Sequence, residues 1–374
     1  LLFEIKRFGI RRVVLLASFL SDAVTTFVAE QTRGPLADLD LTIHIEPERA
    51  GTGGAIWHAR HLIEDDFFLF NGDSWFDINI LDLARYAEGS PSSLGCLALR
   101  EVPDGSRYGA VKLNGSRVEC FGFAAPKREP ALVNAGIYAM RRELITHLTP
   151  NCSLEQDILP RLATSGALLG VRYDGFFIDI GIPSAFRDAQ ALVSAHQRRS
   201  AVFLDRDGVL NEDCGYVGTR ERFIWRSGAV AMVKRFNDAG YFVFVVTNQA
   251  GVAKGKYSEA DVLDLHVFMR QDLAKAGAHI DDIRYCPYHE EGTVAAYTFR
   301  SDWRKPEPGM LLDLMRHWPV KRETSVLLGD KDTDLIAAER AGISGFKVDV
   351  GTDVDLLAQM IIRSASSPAD TTGC

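Results

Sequence analysis

In the second half of the chain, short unbroken apolar runs alternate with stretches whose apolar residues recur at helical spacing. Ala201–Leu204 predicts a strand. Gly228–Ala239 predicts a helix that stops at Gly240, and Tyr241–Val246 predicts a second strand ending in Thr247, Asn248 and Gln249. Ser258 is placed to cap a helix running to Ala276, with Glu259 and Asp261 in the first turn, where the helix dipole favours acids. Thr324–Leu328 predicts a third strand, followed by Gly329 and Asp330, and Leu335–Ala341 predicts a helix closed by Gly342. Strands without polar alternation are buried on both faces, and helical crossovers make them parallel. Ligands of such sheets sit beyond the carboxyl ends of the strands. Asp205, Asp207, Thr247, Asn248 and Asp330 all fall there.

The first half alternates too. Its start, Leu1 to Phe8, reads as a helix with its run-up removed. Val13–Ala17, Leu41–Ile45, Phe67–Phe70 and Phe176–Ile180 predict strands; Gly51-Thr-Gly-Gly54 opens a helix, and Ser184–Ala195 predicts another. The polar step from His196 to Ser200 follows, with no Gly/Ser-rich or Pro-rich tether. The expectation is an α/β protein of two domains, 1–196 and 197–374.

Composition narrows the class. A chain of 374 residues exceeds one ordinary core, and 47% hydrophobic with 25% charged residues describes a globular protein. Residues 1–200 hold 21 basic and 24 acidic side chains, and residues 201–374 hold 21 and 26, so neither half carries a nucleic-acid footprint. No apolar span is long enough to cross a bilayer. Six cysteines without a framework spacing suggest reduced thiols and a cytoplasmic protein. The polar tail after Arg363, with Cys374, is expected to be disordered.

Two carboxylates as close as Asp205 and Asp207 repel unless a cation or a shared proton separates them. Phosphate-monoester hydrolysis uses such a pair: an in-line nucleophile and a proton donor, with positive charge around the equatorial oxygens. Asp205 is the candidate nucleophile, forming an aspartyl-phosphate, and Asp207 the candidate general acid. Thr247 and Asn248 are candidates for binding phosphoryl oxygens, and Lys305 for supplying positive charge. Asp330, the Asp205 carboxylate and the Asp207 backbone carbonyl are the candidate Mg²⁺ ligands, because Mg²⁺ keeps few carboxylates and several waters. Each piece alone is commonplace; their joint order at strand ends is not.

These residues resemble the haloacid dehalogenase superfamily. Leu204-Asp-Arg-Asp-Gly208 is similar to its first motif, Thr247-Asn-Gln249 to its second, Arg304-Lys-Pro306 to its third and Gly329-Asp-Lys331 to its fourth. Asp205 to Asn211, Gly215-Tyr-Val217, Thr247 to Val252, Cys286-Pro287 and Arg304 to Met310 further resemble the D,D-heptose 1,7-bisphosphate phosphatases, with histidinol-phosphate phosphatases as near relatives. The resemblance implies removal of the 7-phosphate from a seven-carbon sugar bisphosphate, with Arg304 contacting the substrate. The family's zinc loop, Cys-x-His then Cys-x-Cys, reads here as Cys286-Pro-Tyr288 and Ser301-Asp-Trp303, with His289 one position late. A structural zinc site needs four ligands. No zinc is expected, and Tyr288, Phe299 and Trp303 are expected to fill the loop.

In the first half, the amides of Gly51-Thr-Gly-Gly54 are candidates for facing a phosphate or base. Asp73 and Asp179, at strand ends, suit one Mg²⁺ on a nucleotide. Gly51 to Ala55, Phe70 to Ser74, Arg107-Tyr-Gly109, Val133 to Tyr138, Ser153 to Pro160 and Phe177 to Gly181 resemble sugar-1-phosphate nucleotidyltransferases, in family order. The implied fold is an incomplete Rossmann-like nucleotidyltransferase fold followed by a haloacid dehalogenase-like parallel sheet. The implied partners are a nucleoside triphosphate or nucleotide-sugar, a heptose-1-phosphate guanylyl-type reaction fitting the neighbouring phosphatase. Asp73 and Asp179 become implied metal ligands, and Gly53, Asn134 and Glu155 implied nucleotide or sugar contacts. The family's first strand and Arg-containing Gly-rich loop belong upstream of Leu1, and a chain without them is expected to lose transfer chemistry and expose a sheet edge. The family's Glu-Lys-Pro is replaced near Phe121 to Pro126, with Lys127 shifted. Rival readings are nucleotidyl transfer as the main activity and a first half that binds sugar-nucleotide without turnover.

Overall fold

The computed structural model describes residues 1–366 except 35, 47, 126–127 and 182. Lys127 and Cys374 therefore lie outside the described residues. The chain divides into two compact units, Leu1–Ala191 and Leu192–Cys374.

In the second unit, five parallel strands lie in the order Asp282–Cys286, Phe242–Asn248, Ala201–Leu204, Val326–Gly329, Ser344–Lys347. Side-chain alternation along each strand sends residues to opposite faces. Val202, Leu204, Val243, Val245 and Leu328 face one core, closed by the helices Ala229–Asp238, Glu259–Lys275 and Val354–Ser366. Phe203, Phe242, Phe244, Val246 and Leu327 face the other, closed by Gly309–His317 and Asp332–Ala341. Both faces are thus covered, as the unbroken apolar runs require, and the three central strands fall where the pattern predicts them. The two edge strands were not predicted; Asp282–Cys286 is mostly half-buried and Ser344–Lys347 mostly exposed, so neither carries an unbroken apolar run.

Local signals act as anticipated. Ser258 caps its helix in a reciprocal box with Asp261, and Gly342 ends its helix in the left-handed conformation at φ 73°. The last described helix runs to Ser366, three residues past the expected start of the tail.

The first unit holds a six-stranded mixed sheet in the order Phe67–Phe70, Ala131–Met140, Gly95–Val102, Leu168–Arg172, Arg117–Ala124, Gly109–Asn114. Arg12–Ala17 and Asp40–Ile45 form a separate parallel pair, and Ser74–Phe76 with Phe177–Asp179 an antiparallel one. The strands Arg12–Ala17 and Phe67–Phe70 are apolar yet mostly half-buried.

Candidate active site

The site of the second unit lies where the central strands end. Strand Ala201–Leu204 delivers Asp205, whose backbone N–H donates to Leu328 O of the neighbouring strand at 2.9 Å. The chain then turns sharply at Gly208, φ 86°, where a Cβ would stand 2.5 Å from Asp330 Oδ2. Only glycine tolerates both that backbone and that approach. Strand Phe242–Asn248 ends with Thr247 and Asn248, and strand Val326–Gly329 delivers Asp330.

Lys305 comes from a loop more than fifty residues past the strand it meets. It is 2% exposed, and its Nζ reaches Asp205 Oδ1 at 2.9 Å, Asp334 Oδ1 at 2.7 Å and Val246 O at 2.8 Å. Three acceptors match the three protons of an ammonium. Burial alone would lower the Lys305 pKa, but Asp205 and Asp334 outweigh it and hold the amine charged. Burial pushes the Asp205 carboxyl up; Lys305 opposes this and the Asp334 charge adds to it. Asp330 is raised as well, by burial first, with Lys331 opposing.

Oxygens of Asp205, Asp330 and Asp334 all lie within 4.8 Å of one another, the one group of three or more acidic, His or Cys side chains so placed among the described residues. Three carboxylates against the Lys305 ammonium leave a formal surplus of two negative charges, with Lys331 3.6 Å from Asp330 and shared with Asp213. Asp330 Oδ1 is buried without a hydrogen-bond partner. An orphaned carboxylate oxygen beside two others fits a hard divalent cation with oxygen ligands.

Asp205, Thr247, Asn248, Lys305 and Asp330 are thus brought to one rim, but one expectation changes. The Asn248 side chain does not stand open for a phosphoryl group. Its Oδ1 accepts from Lys305 N and its Nδ2 donates to Lys305 O, both at 3.0 Å, so it clamps the lysine backbone. The Asp207 carboxylate accepts from Arg206, Asn211 and Gln249 and keeps part of its surface open. Asp334 was not anticipated. The signal was available: an acid in the first turn of the helix that opens directly behind Asp330, where the chain has not yet left the strand end.

Arg304 reaches Tyr288 O at 3.4 Å. The loop around it is filled by rings, Tyr288 and Phe299 lying 4.2 Å apart between centroids, with Trp303 packed against the core. Cys286 is buried with its thiol pKa pushed up by burial, and His289 Nδ1 accepts from Glu291 N at 3.0 Å.

In the first unit, Asp73 and Asp179 lie at neighbouring strand ends. Ile180 N donates to Asp73 O at 2.8 Å, and a Cβ on Gly181 would lie 3.0 Å from Asp179 Oδ1 and 3.7 Å from Asp73 Oδ2. Glu155 accepts from Thr52 Oγ1 at 2.5 Å. Asn134 donates to Tyr138 OH at 2.7 Å. The glycines behave differently from expectation. The Gly53 and Gly54 N–H groups both donate to Cys152 O at 3.0 Å, and a Cβ on Gly53 would lie 2.7 Å from Cys152 Sγ. These amides are spent on close backbone packing, not aimed at an anion.

A doubly covered parallel sheet with a carboxylate and lysine cluster at its carboxyl ends defines a hydrolase of the haloacid dehalogenase type, and residues 302–367 match the HAD-hydrolase-like family. Residues 4–196 match the nucleotidyl transferase family. A D-glycero-beta-D-manno-heptose-1,7-bisphosphate 7-phosphatase from Rhodopseudomonas palustris is 48% identical over 171 residues, 46% of this chain and 94% of that protein. A D-glycero-alpha-D-manno-heptose-1,7-bisphosphate 7-phosphatase from Burkholderia mallei is 36% identical over 173 residues, 46% of this chain and 92% of that protein. A crystal structure of D,D-heptose 1.7-bisphosphate phosphatase from B. bronchiseptica, complexed with magnesium and phosphate, is 28% identical with a TM-score of 0.39, covering 44% of this chain and 99% of that one. The chain belongs to the nucleotidyl transferase family through its first half and to the heptose-1,7-bisphosphate 7-phosphatase family through its second.

Proposed function

We propose that the second half removes the 7-phosphate from D-glycero-D-manno-heptose 1,7-bisphosphate. The cluster of Asp205, Lys305, Asp330 and Asp334 carries this reading. An Asp205 oxygen forms a bond to phosphorus while the bond from phosphorus to the sugar oxygen breaks, and Asp207 gives its proton to that oxygen. Water then attacks phosphorus, its proton goes to Asp207, phosphate leaves and the Asp205 carboxylate is restored. Thr247 and the backbone around Asn248 hold phosphoryl oxygens, and Lys305 offsets the charge that gathers on them. Arg304 contacts the sugar phosphate. Asp205, Asp330 and the Asp207 carbonyl would hold Mg²⁺, with Asp334 completing the acidic shell; the ion supplies charge stabilisation to the phosphoryl oxygens. Among the described residues no helix is long and apolar enough to cross a membrane, and the five described cysteines are free. The free thiols suit a reducing, cytoplasmic location.

The test is a screen for phosphate release from sugar bisphosphates, histidinol phosphate and nucleotides, with and without Mg²⁺. Heptose 1,7-bisphosphate should lead with Mg²⁺ and fall to background without it. Preference for histidinol phosphate would replace the substrate, and release from none would sink the hydrolase.

A second reading concerns residues 1–196, where the match over 4–196 and the adjacency of Asp73 and Asp179 favour a nucleotide or nucleotide-sugar site. Asp73 and Asp179 would hold a divalent cation there, and Asn134 and Glu155 the sugar. Pyrophosphate release from GTP with a heptose 1-phosphate separates turnover from binding alone. The proposed domains, 1–196 and 197–374, are supported by the compact units that part between Ala191 and Leu192.

A further inference from the structure

The Asp207 carboxylate is held by three side chains that are themselves fully buried. Oδ1 accepts from Arg206 Nε at 3.2 Å, Arg206 Nη2 at 3.0 Å and Asn211 Nδ2 at 3.0 Å. Oδ2 accepts from Arg206 Nη2 and from Gln249 Nε2, each at 3.1 Å. Arg206, Asn211 and Gln249 are each 0% exposed, so none is placed to touch a substrate, whereas the Asp207 side chain keeps 17% of its surface open.

The contacts continue outward. Arg206 Nη2 also donates to Gln249 Oε1 at 3.1 Å and to Val217 O. Gln249 Nε2 also donates to Thr247 Oγ1 at 2.8 Å, and Gln249 Oε1 accepts from Tyr257 OH at 2.7 Å. The Tyr257 ring fits between two glycines: a Cβ at Gly218 would come within 2.1 Å of it and one at Gly251 within 2.2 Å. A fully buried guanidinium is expensive, and Arg206 Nη1 has no partner among the described residues. Such a cost is tolerated where it sets a geometry that chemistry requires.

We propose that Arg206, Gln249 and Tyr257 are positioning residues that fix the rotamer of Asp207, so that its proton meets the oxygen leaving phosphorus. This rests on the reading of Asp207 as the general acid. Oδ1, with three donors, stays anchored. Held in this rotamer, the carboxyl gives its proton to the leaving oxygen as the phosphorus–oxygen bond breaks. Tyr257 acts through Gln249, and Gln249 acts through Asp207.

A general acid matters in proportion to how poor the leaving group is. A sugar alcohol leaves as the protonated alcohol, whereas p-nitrophenolate departs without a proton. The experiment therefore compares Gln249→Leu and Tyr257→Phe in the full chain with Mg²⁺, on heptose 1,7-bisphosphate and on p-nitrophenyl phosphate. The second substrate is read as the pre-steady-state burst of nitrophenolate, before aspartyl-phosphate hydrolysis. For the sugar, kcat should fall about 10²-fold in Gln249→Leu and about tenfold in Tyr257→Phe, with KM within about threefold. The burst rate should stay within about threefold of wild type. Equal losses on both leaving groups, or no loss on the sugar, would overturn the positioning role alone. If Gln249→Leu fails to fold, Tyr257→Phe decides, since it removes one hydroxyl and keeps the ring between its glycines. Wild-type protein that releases phosphate from neither ester overturns the hydrolase reading, and the positioning role with it.

Discussion

The two acidic sites of this chain are built from opposite materials. In the second unit, Asp205, Lys305 and Asp334 are 6%, 2% and 1% exposed, and each makes its charge tolerable only through the others. In the first unit, Asp73 is exposed and Asp179 half-buried, and their hydrogen bonds are local. Burial makes charges interdependent because water no longer screens them. The lesson is that a strand-end aspartate becomes a reactive centre when the fold removes its water and supplies a cation in exchange.

If that contrast is right, the second site should break sharply and the first gently. Asp205→Asn should lower phosphate release at least about 10³-fold while circular dichroism stays native, because nucleophile loss removes the route itself. Turnover near wild type in that variant would erase the distinction between the sites. Chelation with EDTA should bring phosphate release to background, and added Mg²⁺ should restore it. Zn²⁺ or no metal serving equally well would break the argument from Asp330 Oδ1 and its oxygen neighbours.

Lys305→Met leaves Asp205 and Asp334 buried face to face. Removing one partner of a buried charge group costs about 3–5 kcal/mol, read as a drop in the urea midpoint. A loss below about 1 kcal/mol, the range of exposed pairs, would show that water reaches this cluster after all. Gly53→Ala should cost about 1–3 kcal/mol by overpacking against Cys152. An unchanged midpoint there would return its amides to the list of candidate anion ligands. Smallest of all, Glu155→Gln should cost about 1 kcal/mol or less, since it only weakens the hydrogen bonds from Thr52 and Ser153.

Much of the second unit was legible without coordinates. Unbroken apolar runs closed by Asp205, Thr247 and Asp330 implied strands buried on both faces with polar ends on one side. Periodicity, caps and turn residues are properties of neighbouring positions, so the chain itself carries them. What the local pattern lacked was the identity of distant partners. Asn248 faces the Lys305 backbone across 57 residues, Gly53 packs on Cys152 rather than opening to an anion, and Lys305 finds Asp334 as well as Asp205.

The order of apolar and polar positions thus determined the strands, their ends and the candidate chemistry in each half. Tertiary structure alone decided which side chains are spent on one another and which are left for a ligand. The reason is physical: hydrogen bonds and buried charges are settled by three-dimensional proximity and loss of water, and neither is a function of sequence distance.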